Sequence, residues 1–207
     1  ARQVSDLLAV EPARIRVVPH GVHTAPPSRD PREKLVLFVG VLQKRKNLLR
    51  LIDAFEALPE DWRLVLAGAP SGYQAQTIVD RARAHSRIRI TGYLAAPEIE
   101  RLYARASIFA FPSLDEGFGI PVLEAMAHGI PVVTSNGSAL PEVAGDAALL
   151  VDPHNSSDIA AALTRLVENE DLRRQLATRG EARARQYTWS RAVTSTYDVY
   201  RELTSVF

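Results

Sequence analysis

Two glutamates frame an apolar segment in the middle of the chain. Glu116 and Glu124 are separated by Gly-Phe-Gly-Ile-Pro-Val-Leu, and Ala-Met-Ala follows the second of them. An ionised carboxylate in such surroundings costs several kcal/mol unless a partner pairs with it or donates hydrogen bonds to it. Glu124 therefore needs a partner, and the rest of the chain has to indicate which one.

The same segment carries the features of an anion site. Gly117 and Gly119 allow backbone N–H groups to approach a ligand closely, and Pro121 suits a first helical turn because its missing amide hydrogen would be unpaired there anyway. A run of three cations, Lys44–Lys46, precedes another predicted helix. A helix N-terminus with cations facing it predicts a site for a phosphate-sized anion.

Apolar runs of strand length alternate with segments of helical period and position these residues. The predicted strands span residues 35–40, 63–68, 87–92, 107–112, 131–135 and 147–152. The helices between them span residues 47–58, 73–85, 97–106, 120–128 and 140–144. Near-continuous apolar strands imply a sheet covered on both faces, and the alternation predicts an α/β fold with a doubly wound parallel sheet. Helical periods from Ser157 onward predict a helical C-terminal tail.

The carboxyl ends of the strands are the expected ligand edge of such a sheet. The loops that leave the first four strands at this edge begin at residues 40, 68, 91 and 111, and the fourth contains both glutamates. A further short strand is predicted at residues 14–22, followed by an irregular connector marked by Pro26, Pro27 and Pro31. Because residues 2–10 read as a helix already in progress behind Ala1, we expect a piece of a longer protein.

Each candidate residue has a plainer explanation when it is taken alone. Glu116 can be an acid favoured near a helix N-terminus, Glu124 a half-exposed helical position, and the run Lys44–Lys46 a solvated turn. Tyr93 can serve packing rather than contact with a nucleobase, and His20 can be a turn residue rather than a base or metal ligand. Their joint occurrence at strand ends favours one ligand site.

Composition and missing motifs narrow the function classes. The 207 residues carry 25 Lys and Arg against 24 Asp and Glu, so a formal charge of +1 provides no field for nucleic acid or an anionic membrane. The chain has no cysteine, which excludes disulfides, thiol nucleophiles and cysteine-ligated zinc. No P-loop, Asp-x-Asp pair, His-Glu-x-x-His or Gly-x-Ser-x-Gly occurs. With no signal peptide and no apolar run near the roughly 18 residues of a membrane span, we expect a cytoplasmic protein.

The segment from Glu116 to Glu124 resembles the E-x7-E signature of retaining glycosyltransferases of the GT-B fold, the group 1 or GT4 family. Further matches occur in the family's order: Val18-Pro-His-Gly-Val22, Phe38-Val-Gly40 with Arg45-Lys-Asn47, Leu66-Ala-Gly68, Ile90-Thr-Gly-Tyr93, Phe111-Pro-Ser113 and Pro141-Glu-Val-Ala-Gly145. The resemblance covers roughly residues 14–203 and only the C-terminal, Rossmann-like half of such enzymes. It implies that the acceptor-binding N-terminal domain is missing.

The resemblance implies roles for individual residues. Glu124 would bind the ribose hydroxyls of a nucleotide sugar, and Glu116 would hold hydroxyls of the transferred sugar. Lys46 would neutralise the departing diphosphate, with Arg45 as its helper. Many relatives carry an arginine where this chain has Val41, so either Arg45 or another domain would supply that charge. Backbone amides at Phe118, Gly119 and Ile120 would meet sugar and diphosphate oxygens. The remaining implied substrate-binding positions are Gly40, Gly68, Gly92, Tyr93, Ser113 and Gly117.

The resemblance also implies a reaction and an organisation. We expect hexosyl transfer with retention, without a metal or another cofactor, from a nucleotide sugar to an unknown acceptor, with GDP-mannose as the first donor hypothesis and UDP-glucose behind it. Residues 1–34 would be a lead-in, 35–187 the nucleotide-sugar-binding domain and 188–207 a helix that crosses back to the missing domain. Nucleic acid is not an expected partner. Membrane association, peripheral at the inner face, would come only through parts outside this chain.

Two alternatives remain open at the level of sequence. Non-hydrolysing sugar-nucleotide epimerases use a related two-domain fold, although they require further acid and base residues around the cleft. A catalytically inactive half of this fold could serve as a nucleotide-sugar-binding or scaffold module. The products separate these hypotheses. Release of nucleoside diphosphate favours the transferase, release of a 2-epimerised sugar favours the epimerase, and neither product favours the scaffold module.

Overall fold

A parallel six-stranded sheet forms the centre of the computed structural model, which describes residues 2–23 and 31–204. The strands are β1 Glu33–Val39, β2 Arg63–Ala67, β3 Ile88–Gly92, β4 Ala106–Phe111, β5 Val132–Ser135 and β6 Ala148–Val151. They lie in the order β3-β2-β1-β4-β5-β6, and every neighbouring pair is parallel. This is the Rossmann-like doubly wound order, so the predicted fold class is confirmed.

Helices connect the strands and extend the chain beyond the sheet. They are α1 Arg2–Leu8, α2 Leu48–Glu56, α3 Ala75–Arg83, α4 Ala96–Arg105, α5 Ile120–Ala127, α6 Leu140–Ala144, α7 Ser156–Glu168, α8 Glu170–Ala184 and α9 Trp189–Thr204. Asn155 and Asn169 are the N-cap residues of α7 and α8. Their side chains accept hydrogen bonds from backbone amides in the first turns. No helix in the described residues is long and apolar enough to cross a bilayer.

The central strands are buried on both faces, as their continuous apolar runs predict. Four consecutive residues of β1, Leu35 to Phe38, are buried, and β4 is buried over most of its length. The rings of Phe38 and Phe111 stack with centroids 5.6 Å apart across these two strands. The site therefore stands on the most rigid part of the sheet.

The strand predicted at residues 14–22 is wrong. Residues 15–23 form no regular element, and the turn Pro12–Arg14 before them is a short 3₁₀ helix. Pro19 has no amide hydrogen to donate, and this segment packs instead on the chain before α9: the Val22 amide donates to the carbonyl of Tyr187 at 2.9 Å. Of the predicted connector, Pro26 and Pro27 lie outside the described residues.

The direction of winding reverses between β1 and β4, which are neighbours in the sheet but three strands apart in the chain. The loops that follow two such strands run in opposite directions along the sheet. A crevice therefore forms between them at the carboxyl edge. Here the two loops also bond to each other, because the Leu114 amide donates to the Arg45 carbonyl at 2.8 Å.

Candidate functional site

Lys46 and Glu116 form a largely buried ion pair at the crevice between β1 and β4. Lys46 ends the 3₁₀ turn Lys44–Lys46 and is only 8% exposed, and its Nζ lies 2.6 Å from Oε1 of Glu116. The same Nζ lies 4.7 Å from the centre of the Phe111 ring. These two residues lie 70 positions apart in the sequence, in different loops, and the fold brings them into contact.

Arg45 is the second cation on the same carboxylate. Its Nη1 lies 2.9 Å from Oε2 of Glu116 and also donates to the Asp115 carbonyl. One carboxylate thus faces two cations, and the cluster of three groups retains one positive charge. Arg45 is much more exposed than Lys46, with side-chain exposures of 41% and 10%. The guanidinium is therefore the more accessible of the two cations, and the Lys46 ammonium lies deeper in the same cluster.

Glu116 is held in its ionised form. Burial alone would raise the pKa of this carboxyl, but hydrogen bonds from Lys46 and Arg45 and the charge of Lys46 outweigh burial, so the pKa lies below its usual value. The Glu116 amide in turn donates to the Ser138 hydroxyl at 3.1 Å. Loops after β1, β4 and β5 therefore converge on this one residue.

Asn47, the last residue of the motif Arg45-Lys-Asn47, is a positioning residue that was not predicted as part of the site. Its backbone has φ of 60°, a left-handed conformation that asparagine tolerates better than most residues. Its side-chain amide donates to the carbonyls of Pro112 and Pro153 at 3.0 and 2.6 Å. The turn that carries Arg45 and Lys46 is thereby fixed to the loops after β4 and β6.

Glu124 has a partner inside the chain. The hydroxyl of Tyr103, on α4, donates to Oε2 of Glu124 at 2.9 Å, and Glu124 is half-buried on α5. Burial and, less strongly, the charge of Glu100 raise the pKa of the Glu124 carboxyl, while the Tyr103 hydrogen bond opposes them. The expectation that a ligand alone satisfies this carboxylate is therefore incomplete, because one oxygen already has a protein donor.

The loop that enters α5 leaves backbone groups available. The amides of Gly117, Phe118 and Gly119 make no hydrogen bond to the described part of the chain. Gly119 precedes α5 with φ of 105°, and a Cβ there would lie 2.7 Å from Leu140. A Cβ at Gly117 would meet nothing within 4 Å. The Phe118 ring packs edge-on against His20 and Tyr187. Its backbone amide and that of Ile120, in the first helical turn, are placed to meet an anionic ligand.

Three glycines shape the other half of the edge. Gly40 and Gly68 have φ of 150° and 152°, and a Cβ at Gly68 would lie 1.9 Å from the Gly40 carbonyl oxygen. Gly92 has φ of 73° with nothing within 4 Å of a built Cβ. Tyr93, the first residue after the edge strand β3, has an 84% exposed side chain. Tyr93 thus lies at the predicted ligand edge of the sheet. Among the described residues, none holds its ring in the direction of Glu116.

Ser113 has a hydroxyl without a partner in the described residues, although the residue is fully buried. The Ser113 carbonyl accepts a hydrogen bond from the Ser135 hydroxyl at 2.6 Å, which fixes the backbone there. The Ser113 hydroxyl favours the ionised form of Glu116 and contributes to the lowered pKa of that carboxyl. Buried hydroxyls are rarely left unpaired, so this one is a candidate ligand contact.

A cavity of about 450 Å³ adjoins Glu116 on the side of the lead-in. It is lined by residues 17–20, 116–118, 138–139 and 142–143 and by Tyr187. The His20 ring at its rim packs on Phe118 and Trp189, with centroids 5.1 and 6.4 Å away. This agrees with the plainer explanation of His20. Within residues 2–23 and 31–204, no group of three His, Asp or Glu residues is arranged to hold a metal ion.

Comparison with known proteins places the chain among glycosyl transferases. The profile of the family described as "Glycosyl transferases group 1" matches residues 23–183. The "O-antigen chain mannosyltransferase B" of Escherichia coli is 37% identical over 81% of this chain and 45% of its own length. The chain thus spans about half the length of that relative.

Solved structures share the fold. A glycosyltransferase from Rickettsia africae superimposes with a TM-score of 0.83 at 17% identity, over 98% of this chain and 61% of its own. The C-terminal domain of a group 1 family glycosyl transferase from Francisella tularensis superimposes with a TM-score of 0.64 at 26% identity, over 77% of this chain and 93% of its own. The family match and the six-stranded Rossmann-like sheet agree, and the chain belongs to the group 1 glycosyl transferases of the GT-B fold.

Proposed function

We propose that this chain is the donor-binding half of a retaining hexosyltransferase that uses a nucleoside diphosphate sugar. The observation that carries the proposal is the cluster of Lys46 and Arg45 on Glu116 at the crevice between β1 and β4. Its residual positive charge suits a diphosphate, and the unpaired amides that lead into α5 suit the same ligand. Glu124, further along α5 itself, would accept hydrogen bonds from the ribose.

The proposed chemistry uses this charge in the transition state. Negative charge grows on the diphosphate as the glycosidic bond breaks, and fixed cations that face it lower the barrier. Lys46 is the better fixed of the two because it is buried against Phe111, while Arg45 stands in for the arginine that many relatives carry at the position of Val41. The acceptor would attack from the face that the diphosphate leaves, with a phosphate oxygen taking its proton.

We propose that the reaction needs no bound metal, since Lys46 and Arg45 supply the cations that a metal-bound diphosphate would otherwise require. Glu116 would then bind hydroxyls of the transferred sugar with the lone pairs that its two cations leave free. The first donor hypothesis is GDP-mannose, supported by the mannosyltransferase named among the relatives. The acceptor would be bound by the part of those longer relatives that this chain does not span.

Calorimetric titration of the chain with GDP, UDP and ADP, in buffer with a metal chelator, tests the binding half of the proposal. We expect saturable binding of at least one of them. No saturable binding even at millimolar ligand would show the site assignment to be wrong.

Product analysis with a protein that joins this chain to the part of the longer relatives that it does not span tests the reaction. Release of nucleoside diphosphate with a transferred sugar of retained configuration supports the proposal. A free 2-epimerised sugar would indicate the epimerase, and neither product would indicate a binding module.

A further inference from the structure

Tyr103 is buried directly behind Glu124. Its side chain is 1% exposed, and its hydroxyl is the one hydrogen-bond donor to the Glu124 carboxylate among the residues that the structure describes. The bond goes to Oε2 at 2.9 Å. Since Glu124 is itself only half-buried, its other oxygen is left for a donor from outside the chain.

The Tyr103 ring has little freedom to move. It stacks on the His128 ring with centroids 5.0 Å apart and an angle of 12° between the planes, and it lies 5.9 Å from the Phe109 ring. The Tyr103 carbonyl accepts a hydrogen bond from Arg32 at 3.1 Å, and His128 is held by Glu100 at 2.9 Å. The phenol therefore offers its hydroxyl in one fixed direction.

We propose that Tyr103 is a positioning residue, which fixes one oxygen of Glu124 so that the other is presented to the ribose hydroxyls of the nucleotide. This inference rests on the proposed function and adds the device that orients the ribose-binding group. A glutamate side chain that is already ordered loses less conformational freedom when the ligand binds. The hydrogen bond thus contributes to affinity without touching the ligand.

The charges around Glu124 give Tyr103 a second effect. Glu100 faces the carboxylate from α4, and His23 faces it from the lead-in. Burial first, and then Glu100, raise the pKa of Glu124, while Tyr103 and His23 act against them. Without the Tyr103 hydroxyl, the protonated carboxyl becomes more favourable. A protonated carboxyl has less capacity to accept hydrogen bonds from ribose.

The alternative is that the hydroxyl merely satisfies its own burial. Calorimetry with GDP and 2′,3′-dideoxy-GDP, and with the corresponding uridine pair, separates the two explanations in the variants Tyr103→Phe, Glu124→Ala and the double variant. Tyr200→Phe, which removes a hydroxyl from an exposed ring of α9, is the matched control. Thermal unfolding of each variant measures its stability.

We expect Tyr103→Phe to weaken binding of the ribonucleotide by roughly 3- to 10-fold and of the dideoxynucleotide by less than about twofold. The ribonucleotide loss should grow between pH 7.5 and pH 5.5. Adding Tyr103→Phe to Glu124→Ala should change nothing further, and Tyr200→Phe should match the unaltered chain. In the unaltered chain, the Tyr103 hydroxyl proton should stay in slow exchange by NMR, both free and saturated with GDP.

Different failures have different meanings. If the unaltered chain binds none of these nucleotides, the proposed function fails and this inference fails with it. If the unaltered chain prefers the ribonucleotide but Tyr103→Phe weakens both forms equally or neither, only the role of Tyr103 is overturned. Losses that multiply in the double variant, or a fast-exchanging Tyr103 hydroxyl proton, overturn it as well. The NMR measurement of the Tyr103 hydroxyl proton is made on the unaltered chain. It therefore tests the proposal even if Tyr103→Phe unfolds.

Discussion

At the scale of single residues, the two glutamates differ in how the protein treats their charge. Glu116 has two cations within 3 Å and is stabilised in the ionised form. Glu124 has one neutral donor, and burial first and then the like charge of Glu100 disfavour its ionised form in the folded chain. A carboxylate kept at such a cost is expected where a ligand supplies the missing hydrogen bonds.

Lys46→Ala should weaken binding of nucleoside diphosphate more than binding of nucleoside, because the lysine would contact the diphosphate and not the base. A lost charge-assisted hydrogen bond is worth about 1.5–3 kcal/mol, or roughly 10- to 150-fold in affinity. Calorimetry with GDP and guanosine measures the two effects. Lys44→Ala is the matched control, since Lys44 lies in the same turn but is exposed beside Tyr73. Equal losses for both ligands would place Lys46 elsewhere.

Glu124→Gln should stabilise the ligand-free chain at pH 7.5. Because the pKa of Glu124 is raised in the folded chain, its contribution to stability is present below the ordinary pKa and is lost as the pH rises through the folded-state pKa. Glutamine removes the charge and keeps an oxygen for the Tyr103 hydroxyl. A gain of about 1 kcal/mol raises Tm by roughly 2–4 °C at this chain length.

Scanning calorimetry at pH 7.5 and pH 4 checks this sign, and the gain should shrink at the lower pH. Glu116→Gln is the matched comparison with the opposite expectation. Because the pKa of Glu116 is lowered in the folded chain, its ionised carboxylate stabilises the fold at pH values above the ordinary pKa. This contribution is lost as the pH falls through the folded-state pKa. Glu116→Gln should therefore lower Tm at pH 7.5. A Tm that falls in both variants would contradict the contrast.

The sequence predicted the charged centre of the site but not its supports. Glu116 and Lys46 were expected together because both follow strands whose carboxyl ends share one edge. The bond from Tyr103 to Glu124 could not be predicted, because it depends on how α4 and α5 pack around β4. A buried tyrosine usually has a hydroxyl partner, but no sequence pattern names it. The roles of Tyr93 and Ser113 stay predictions.

At the scale of elements, the entry into α5 separates the needs of the fold from those of a ligand. Gly119 is required by the fold, since its φ of 105° is unfavourable for other residues and Leu140 occupies the space of a Cβ. Gly117 meets neither restriction: no atom lies within 4 Å of a built Cβ, and its φ is not in the left-handed region. A glycine that the fold does not require is expected where a ligand approaches the backbone.

Gly117→Ala should therefore leave Tm within about 1 °C of the unaltered chain and weaken GDP binding by roughly 2- to 10-fold, the equivalent of one neutral hydrogen bond. Gly119→Ala should lower Tm by about 2–12 °C, because backbone strain of about 1–3 kcal/mol is added. Thermal unfolding and calorimetry on both variants make the comparison. Unchanged GDP affinity in Gly117→Ala would remove this loop from the ligand site.

The elements themselves were predictable where local and tertiary preferences agree. The six strands of the sheet combine apolar runs with helices that cover both faces, so the sequence pattern located each within a residue or two. The run at residues 14–22 has a similar local pattern, yet it has no neighbouring strand to pair with. Strand propensity is realised only with such a neighbour, and this explains the wrong prediction.

At the scale of the whole molecule, the C-terminal helix α9 lacks the packing of the helices that cover the sheet. No residue of α9 is buried, although the helix carries an apolar stripe. The stripe consists of Trp189, Val193, Tyr197, Tyr200 and Leu203, which are 44% to 66% exposed. Phe207, the last residue of the helix predicted at 188–207, lies outside the described residues. A continuous apolar face of this kind is typical of surfaces that contact another protein or domain, and the domain division at residue 188 stays a prediction.

Amide hydrogen exchange should show weak protection in α9 compared with β1 and β4. The helix buries no side chain, so local opening costs little, whereas the two central strands open only when the sheet unfolds. Exchange measured by mass spectrometry on peptides from residues 190–204, 33–39 and 106–111 compares them directly. Equal protection would mean that α9 is held by contacts that its exposure does not reveal.

The chain by itself should bind the donor but transfer no sugar at a useful rate. We propose that the reaction takes place in a cleft between this half and the part of the longer relatives that the chain does not span, and bringing donor and acceptor together there is worth several kcal/mol of barrier. Product formation with GDP-mannose and UDP-glucose, measured as glycosylated acceptor rather than as donor hydrolysis, compares the chain with a protein that joins it to the remaining part of a longer relative. Adding the remaining half as a separate polypeptide should restore part of the transfer and raise the exchange protection of α9. Robust transfer by the 207-residue chain alone would show that Glu116, Lys46 and Arg45 form a complete active site rather than half of one.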